Sequence, residues 1–323
     1  MVRCRLGGST RTTIPSFSHG MFSQHRFVIS VALIASIGCV SGSSLLQTRT
    51  ASTVDDLLAA DRGFAAASES RDLVTGISAM FADDVSMPYP IRQMALTAAA
   101  ATQALRSVKE NEGARASWVP VGAGVSRDGS QGFTFGFMTV TRADRQRVPL
   151  KYMSYWVRGS NGWRVVAYKR AARGAGAETA AAIRFAPSDA SEAAPSASEF
   201  SITQQSLDST ERQFSIDAQQ IGLEQAFRQY GSADAVNMGG ATDTGFIIGA
   251  DSIARHVGGG GPTTASPVRW APERVIVAGS GDLGVSIGWI TSNTASAGTA
   301  PRFPFFTVWR RRSRSEGWRY VAE

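Results

Sequence analysis

Asp83 and Asp84 are the strongest acid/base candidates in the chain. Neighbouring carboxylates can serve as general acid and base if one faces an apolar cavity, where lost hydration lifts its pKa toward neutrality. An Asp pair just past a helix is also a common capping and turn device. His256 is the only His outside the N-terminal region, and Asp251, five residues before it, could orient its ring. The same two positions suit a helix N-cap and a cation in a last helical turn. The run Gly258-Gly-Gly-Gly261-Pro262 lacks the Gly-Lys-Ser/Thr of a phosphate loop. Arg310-Arg-Arg-Ser-Arg314 is the one dense charge run. It reads as a solvated hairpin tip or as a surface for anionic headgroups or a partner. With three His (His19, His25 and His256) and two Cys (Cys4 and Cys39), the body of the chain holds no metal cluster of those residues and no disulfide framework. No cofactor motif occurs.

These residues are carried by a duplicated unit. Asp61-Arg62-Gly63-Phe64 recurs as Glu211-Arg212-Gln213-Phe214, with Leu57 and Leu207 in matching positions before them. Trp118-Val119-Pro120 recurs as Trp270-Ala271-Pro272, and 14 residues separate each Trp from Gly132 or Gly284. Gly132-Phe-Thr-Phe-Gly136-Phe137 then matches Gly284-Val-Ser-Ile-Gly288-Trp289, and Gly162-Trp163-Arg164 matches Gly317-Trp318-Arg319. In each copy the periodicity predicts a first helix (about 53–69 and 205–219) and, in the first copy, a second helix carrying Leu73, Ile77, Met80 and Phe81. A short extended segment follows (Val85–Met87, Val236–Met238), then a third helix (Ala95–Lys109, Asp251–Val257), then strands. Asp128-Gly129 and Asn161-Gly162 mark hairpins. Alternation in 133–137 sets three Phe on one sheet face. Thr134, Met138, Ser286 and Ile290 are expected to form a mixed stripe on the outer faces. Helices followed by an antiparallel sheet give an α+β unit of about 120 residues.

Each copy resembles a nuclear-transport-factor-2-like (NTF2-like) domain of the SnoaL-like and ketosteroid-isomerase-like group. The resemblance is carried by Phe81-Ala-Asp-Asp-Val85, by Gly249-Ala-Asp-Ser-Ile253 and by the terminal Gly-Trp-Arg hairpins. It implies two tandem cone-shaped domains, each with about three N-terminal helices packed on a curved antiparallel sheet that wraps a cavity. Met87, Tyr89, Trp118, Tyr152 and Trp163 would line that cavity in the first copy or fill it as core. An isomerase or dehydratase built on this fold would use Asp83 or Asp84 as base and Tyr89 or Tyr152 as donor. The first copy has no His, so it lacks the His–Asp dyad that some dehydratases of the fold use. No complete polar set is seen to be shared by the two copies.

Residues 1–26 hold four Arg and no acid, and Phe27–Val40 is a run of 14 apolar or small residues. That is short of the ~20 a spanning helix needs and reads as a secretory signal, with Met1 or Met21 as its start. Ser36-Ile37-Gly38-Cys39 resembles a bacterial lipobox, with Ser where Leu is usual. Cys39 would then be lipidated, and the alternative is plain cleavage near Gly38 or Gly42. The expected organisation is a signal peptide (1–39), a tether (40–52), a first domain (53–171), a flexible Ala/Ser/Pro linker (172–203) and a second domain (204–323). Without the leader the net charge of +7 falls to about +3, which disfavours nucleic-acid binding. The protein is expected to be exported, periplasmic or lipid-anchored to a bacterial envelope, touching membrane only through Cys39, with its two domains pairing intramolecularly. The leading expectation is binding of a small apolar molecule in a cone without catalysis or cofactor. An architectural pseudo-dimer and an acid/base enzyme in the first domain are the alternatives.

Overall fold

A computed structural model describes residues 53–89, 92–176, 183–186, 188, 193–259, 265–293 and 301–323. The leader, Cys39 and the tether lie outside the described residues. So do residues 260–262, the second half of the glycine run and the proline after it.

The first unit opens with α1 (Val54–Ser68), whose N-terminus is fixed by a capping box between Thr53 and Asp56. Then come α2 (Leu73–Ser78), capped by Asp72, and the strands β1 (Phe81–Pro88) and β2 (Met94–Ala95). After α3 (Ala98–Ser107) the chain forms β3 (Arg115–Val125), β4 (Gln131–Thr141), β5 (Arg147–Gly159) and β6 (Gly162–Ala172). A two-residue strand, β7 (Ile183–Arg184), follows. The second unit repeats the plan with α4 (Ala197–Tyr230), β8 (Gly231–Asn237), β9 (Ile247–Ile248), α5 (Ala250–Gly258), β10 (Val268–Val277), β11 (Leu283–Ser292), β12 (Arg302–Arg310) and β13 (Arg319–Ala322).

The two sheets have equivalent orders, β2-β1-β6-β5-β4-β3-β7 and β9-β8-β13-β12-β11-β10. The register repeats as well. Phe81 pairs with Val165 and Ser86 with Ala167, while Gly231 pairs with Tyr320 and Val236 with Ala322, both in parallel. The remaining main-strand pairs are antiparallel. The equivalent strands β3 and β10 are irregular at the same place, between Pro120 and Gly122 and between Pro272 and Arg274. A bulge there bends the sheet around its helices. The α+β class, with two tandem units that open on helices and close on a sheet, is the expected one.

The repeated glycines now have a cause. A Cβ at Gly132 would stand 2.6 Å from Leu57 Cδ2, and one at Gly284 would stand 2.7 Å from Leu207 Cδ2. In both units the first helix lies that close to the second sheet strand. Gly222 explains α4, which is longer than the helix expected over 205–219. At φ 80 and ψ 162 it breaks the helix and turns it back on itself, a backbone that favours glycine. Residues 223–230 therefore do the work of α2.

Two helix bounds, the segment read as linker and the facing of the sheets differ from what the sequence predicts. Phe81 and Asp83–Asp84 belong to strand β1, so the second helix ends earlier, at Ser78. In the segment read as linker, β7 pairs with β3 and Phe185 is buried against Phe133 and Phe135. The first helix of the second unit also begins at Ala197 rather than near 205. Finally, the alternation in β4 and β11 holds but the faces are exchanged. Thr134, Met138 and Ser286 point toward the helices and bond or pack there. Phe133, Phe135, Phe137, Val285 and Ile287 point outward into one apolar cluster shared by both sheets. Large apolar side chains gain more from the water-free space between sheets than a hydroxyl does.

Polar clasps surround that shared cluster. The hairpins after β3 and β10 bond reciprocally. Asp128 Oδ2 accepts from Ser280 N at 2.8 Å, and Asp282 Oδ2 accepts from Arg127 N at 3.1 Å. Lys151, fully buried, donates to the carbonyls of Gly245 and Asp243 at 2.9 and 3.2 Å.

Candidate functional site

The inward stripe of α1 is Leu57, Asp61 and Ala65, and that of α4 is Leu207, Glu211, Phe214 and Ala218. Each helix thus drives one acid into a hydrophobic interior, and Asp61 and Glu211 are both fully buried. Each acid is met by a matched set of donors. Asp61 accepts from Trp118 Nε1 at 2.7 Å and from Tyr152 Oη at 2.9 Å, and Thr134 beside it accepts from Trp156 Nε1 at 2.8 Å. Glu211 accepts from Trp270 Nε1 at 2.6 Å, from Trp309 Nε1 at 2.9 Å and from the Ser286 hydroxyl. Acid, indole, hydroxyl and indole recur strand for strand. The expectation that the copies share no polar set is therefore corrected.

Burial is the largest influence on both carboxyls and raises their pKa, while the surrounding donors pull the other way. Indole N–H groups can only donate. They favour the ionised form and so offset part of the cost of burying each acid. A charged residue on a helix reads as surface, so neither acid stands out in the sequence. The signal was their common position, four residues after Leu57 or Leu207 on the apolar stripe.

The two interiors differ. Around Asp61 the space is packed. Met87, Trp118, Tyr152 and Trp163 are buried in the first unit's core, and half-buried Tyr89 packs against it. Beside Glu211 lies a cavity of about 420 Å³. Its walls include Phe214, Leu223, Phe227, Trp270 and Phe305, and its polar lining includes Lys169, Asn237 and Glu323. Phe305 occupies the position of Tyr152, as the pairings Gly136–Tyr152 and Gly288–Phe305 show. Where the first unit has a phenol reaching its acid, the second has a ring without a hydroxyl. Lys169 is contributed by β6 of the first unit. Burial lowers its pKa to about 8, opposed by Glu323. Burial raises Glu323 to about 7, opposed by Lys169 and reinforced by Glu211.

The structure brings Trp118 and Tyr152 together on Asp61 and leaves Asp83 and Asp84 apart from them, on an exposed stretch of β1. Asp84 is paired with Arg274 of the second unit, which also donates to the Asp84 carbonyl at 2.6 Å. His256 lies on the half-exposed face of α5, with Nε2 3.5 Å from Asp243, while Asp251 pairs with Arg228 at 3.0 Å. The N-cap is Gly249 rather than Asp251. The arginine run is not a free hairpin tip. Arg310 is buried and pairs with Asp234 at 2.8 Å, and Arg311 donates to the Gly281 carbonyl. Among the described residues no group of three or more His, Cys, Asp or Glu could hold a metal, and no helix is long and apolar enough to cross a membrane.

No protein-family model matches the chain, and no curated protein matches it. Solved structures do. A ketosteroid isomerase-like protein from Erwinia carotovora atroseptica is 14% identical, over 36% of this chain and 93% of that one, with a TM-score of 0.30. An NTF2-like protein with a cystatin-like fold from Novosphingobium aromaticivorans is 16% identical, over 36% and 79%, with a TM-score of 0.29. An NTF2-like protein of unknown function from Pseudomonas putida is 16% identical, over 38% and 87%, with a TM-score of 0.29. At these identities the likeness concerns fold alone.

Proposed function

We propose that the protein consists of two NTF2-like units of which the second binds a small apolar molecule, while the first is a packed partner that braces it. The observation that carries this reading is the cavity of about 420 Å³ beside Glu211, set against the filled interior around Asp61. That volume lies within the ~300–1,000 Å³ typical of small-molecule pockets, and aromatic and aliphatic walls with few polar groups are their usual lining. Binding without turnover fits the state of Glu211. Its two oxygens already accept from Trp270, Trp309 and Ser286, so it presents no unengaged oxygen to act as a base. The expected leader would place this binding in the bacterial envelope, with Cys39 as the lipid anchor.

Native mass spectrometry of the mature protein, purified gently from its own membrane and periplasmic fractions, tests the reading. A bound mass of a few hundred daltons that is lost on denaturation is the expected result. A clean mass that also stays unchanged on addition of small apolar alcohols and acids would overturn it.

A second reading, an architectural pseudo-dimer, draws on the reciprocal hairpin bonds at Asp128 and Asp282 and on the apolar cluster between the sheets. It is compatible with the first, because the bracing unit also completes the cavity wall with Lys169.

A further inference from the structure

The cavity of the second unit has one wall that the second unit does not make. Lys169 reaches across from β6 of the first unit and donates to the Phe306 carbonyl at 3.1 Å, with its ammonium 4.5 Å from the Phe306 ring centre. An ammonium has three donors, and one such bond leaves capacity for another acceptor. The carboxylates of the lining are otherwise engaged. Glu323 accepts from Asn237 Nδ2 at 2.8 Å, and Glu211 is held by its two indoles and Ser286. Asn237 is committed too, since its Oδ1 accepts from Gly239 N at 2.6 Å. Lys169 is thus the cationic donor turned toward a cavity whose other walls include Leu223, Phe227, Val257 and Ile290. A wholly apolar ligand would push hydrocarbon against that ammonium and strip its water without replacing it, which is costly.

We infer that the ligand is a monocarboxylate with an apolar body, its carboxylate paired with Lys169 and its body in the sleeve of the second unit. This rests on the binding reading above and adds the headgroup and its anchor. It also gives the duplication a purpose at the site. The hollow unit supplies the sleeve, and the filled unit holds the cation in position. Glu323 is the internal competitor, a carboxylate near the same ammonium that a ligand must outbid.

Calorimetric titration of the full chain with decanoate and with decanol tests the inference. Decanoate is expected to bind about tenfold or more tightly than decanol, the gain of a charge-assisted bond in a dry site. Lys169→Met should abolish the preference, bringing decanoate down to the affinity of decanol. Glu323→Gln should strengthen decanoate several-fold by removing the competitor. Equal binding of the two ligands by the natural protein overturns the headgroup assignment and leaves the cavity reading standing. Binding of neither overturns both. Should Lys169→Met lose both ligands through misfolding, Lys169→Arg decides: retained preference for decanoate supports the anchor, and lost preference with decanol still bound overturns it.

Discussion

The two interiors are built from one plan and put to opposite ends. Both place an acid on the first helix, an indole from the strand after the third helix, a hydroxyl on the next strand and a second indole on the strand beyond. In the first unit Tyr152 completes the circle and the space closes around Asp61. In the second, Asp becomes Glu, Thr becomes Ser, and Phe305 stands in place of the tyrosine. The longer acid reaches both indoles by itself, and the space given up by the phenol adjoins the cavity. The polar network is therefore part of the fold, because both copies need it. Among the described residues this hollow adjoins the acid of the second copy, so function is to be sought in what the copies do not share.

The largest effect expected from breaking this comparison is at the acids themselves. Asp61→Ala leaves the Trp118 and Tyr152 donors buried without an acceptor, at about 1–3 kcal/mol for each. Glu211→Ala takes the acceptor from Trp270 Nε1, but Trp309 Nε1 keeps the Ser286 hydroxyl at 3.0 Å and the adjoining cavity can admit water. Denaturant unfolding should therefore show a larger loss for Asp61→Ala than for Glu211→Ala. Equal losses would mean that the second interior is as closed as the first.

The next effect sharpens the contrast at a single strand position. Tyr152→Phe removes one hydrogen bond to a buried acid and should cost about 1.5–3 kcal/mol without creating a binding site. Phe305→Tyr adds a hydroxyl beside Glu211 and crowds the cavity, and should weaken decanol binding roughly tenfold. If Phe305→Tyr bound decanol unchanged, this ring would not be what separates hollow from filled.

Much of this was legible in the residues, and the part that was not has a physical reason. The repeat gave the two units because glycines such as Gly132 and Gly284 are held by contact with Leu57 and Leu207, and a contact of that kind fixes spacing. The α+β class followed from helical periodicity giving way to alternation. Alternation alone does not say which face is inside. Phe133, Phe135 and Phe137 suit a core, and they do lie in one, but it is the core between the sheets rather than the one under the helices. The kink at Gly222 was hidden because a glycine within a helical pattern reads as a tolerated weakness, not as a turn. The buried acids were hidden for the converse reason. Their cost is met by indoles that lie about sixty residues further along the chain, and no local window contains both.

The smallest effect is expected at the pair that sequence alone put first. Asp84 is exposed on β1, and its partner Arg274 comes from the second unit. Exposed ion pairs contribute about 0–1 kcal/mol, because water already solvates both charges and ordering two side chains offsets the attraction. Arg274 also donates to the Asp84 carbonyl, a bond that does not depend on the carboxylate. Asp84→Asn should accordingly leave the unfolding free energy within about 0.5 kcal/mol of the natural protein and leave decanoate affinity unchanged. Arg274→Ala, which removes both contacts, should cost somewhat more. A larger effect of Asp84→Asn on ligand binding than on stability would move the site from the hollow cone to the groove between the sheets, where Asp83, Asp84, Arg164 and Arg274 meet.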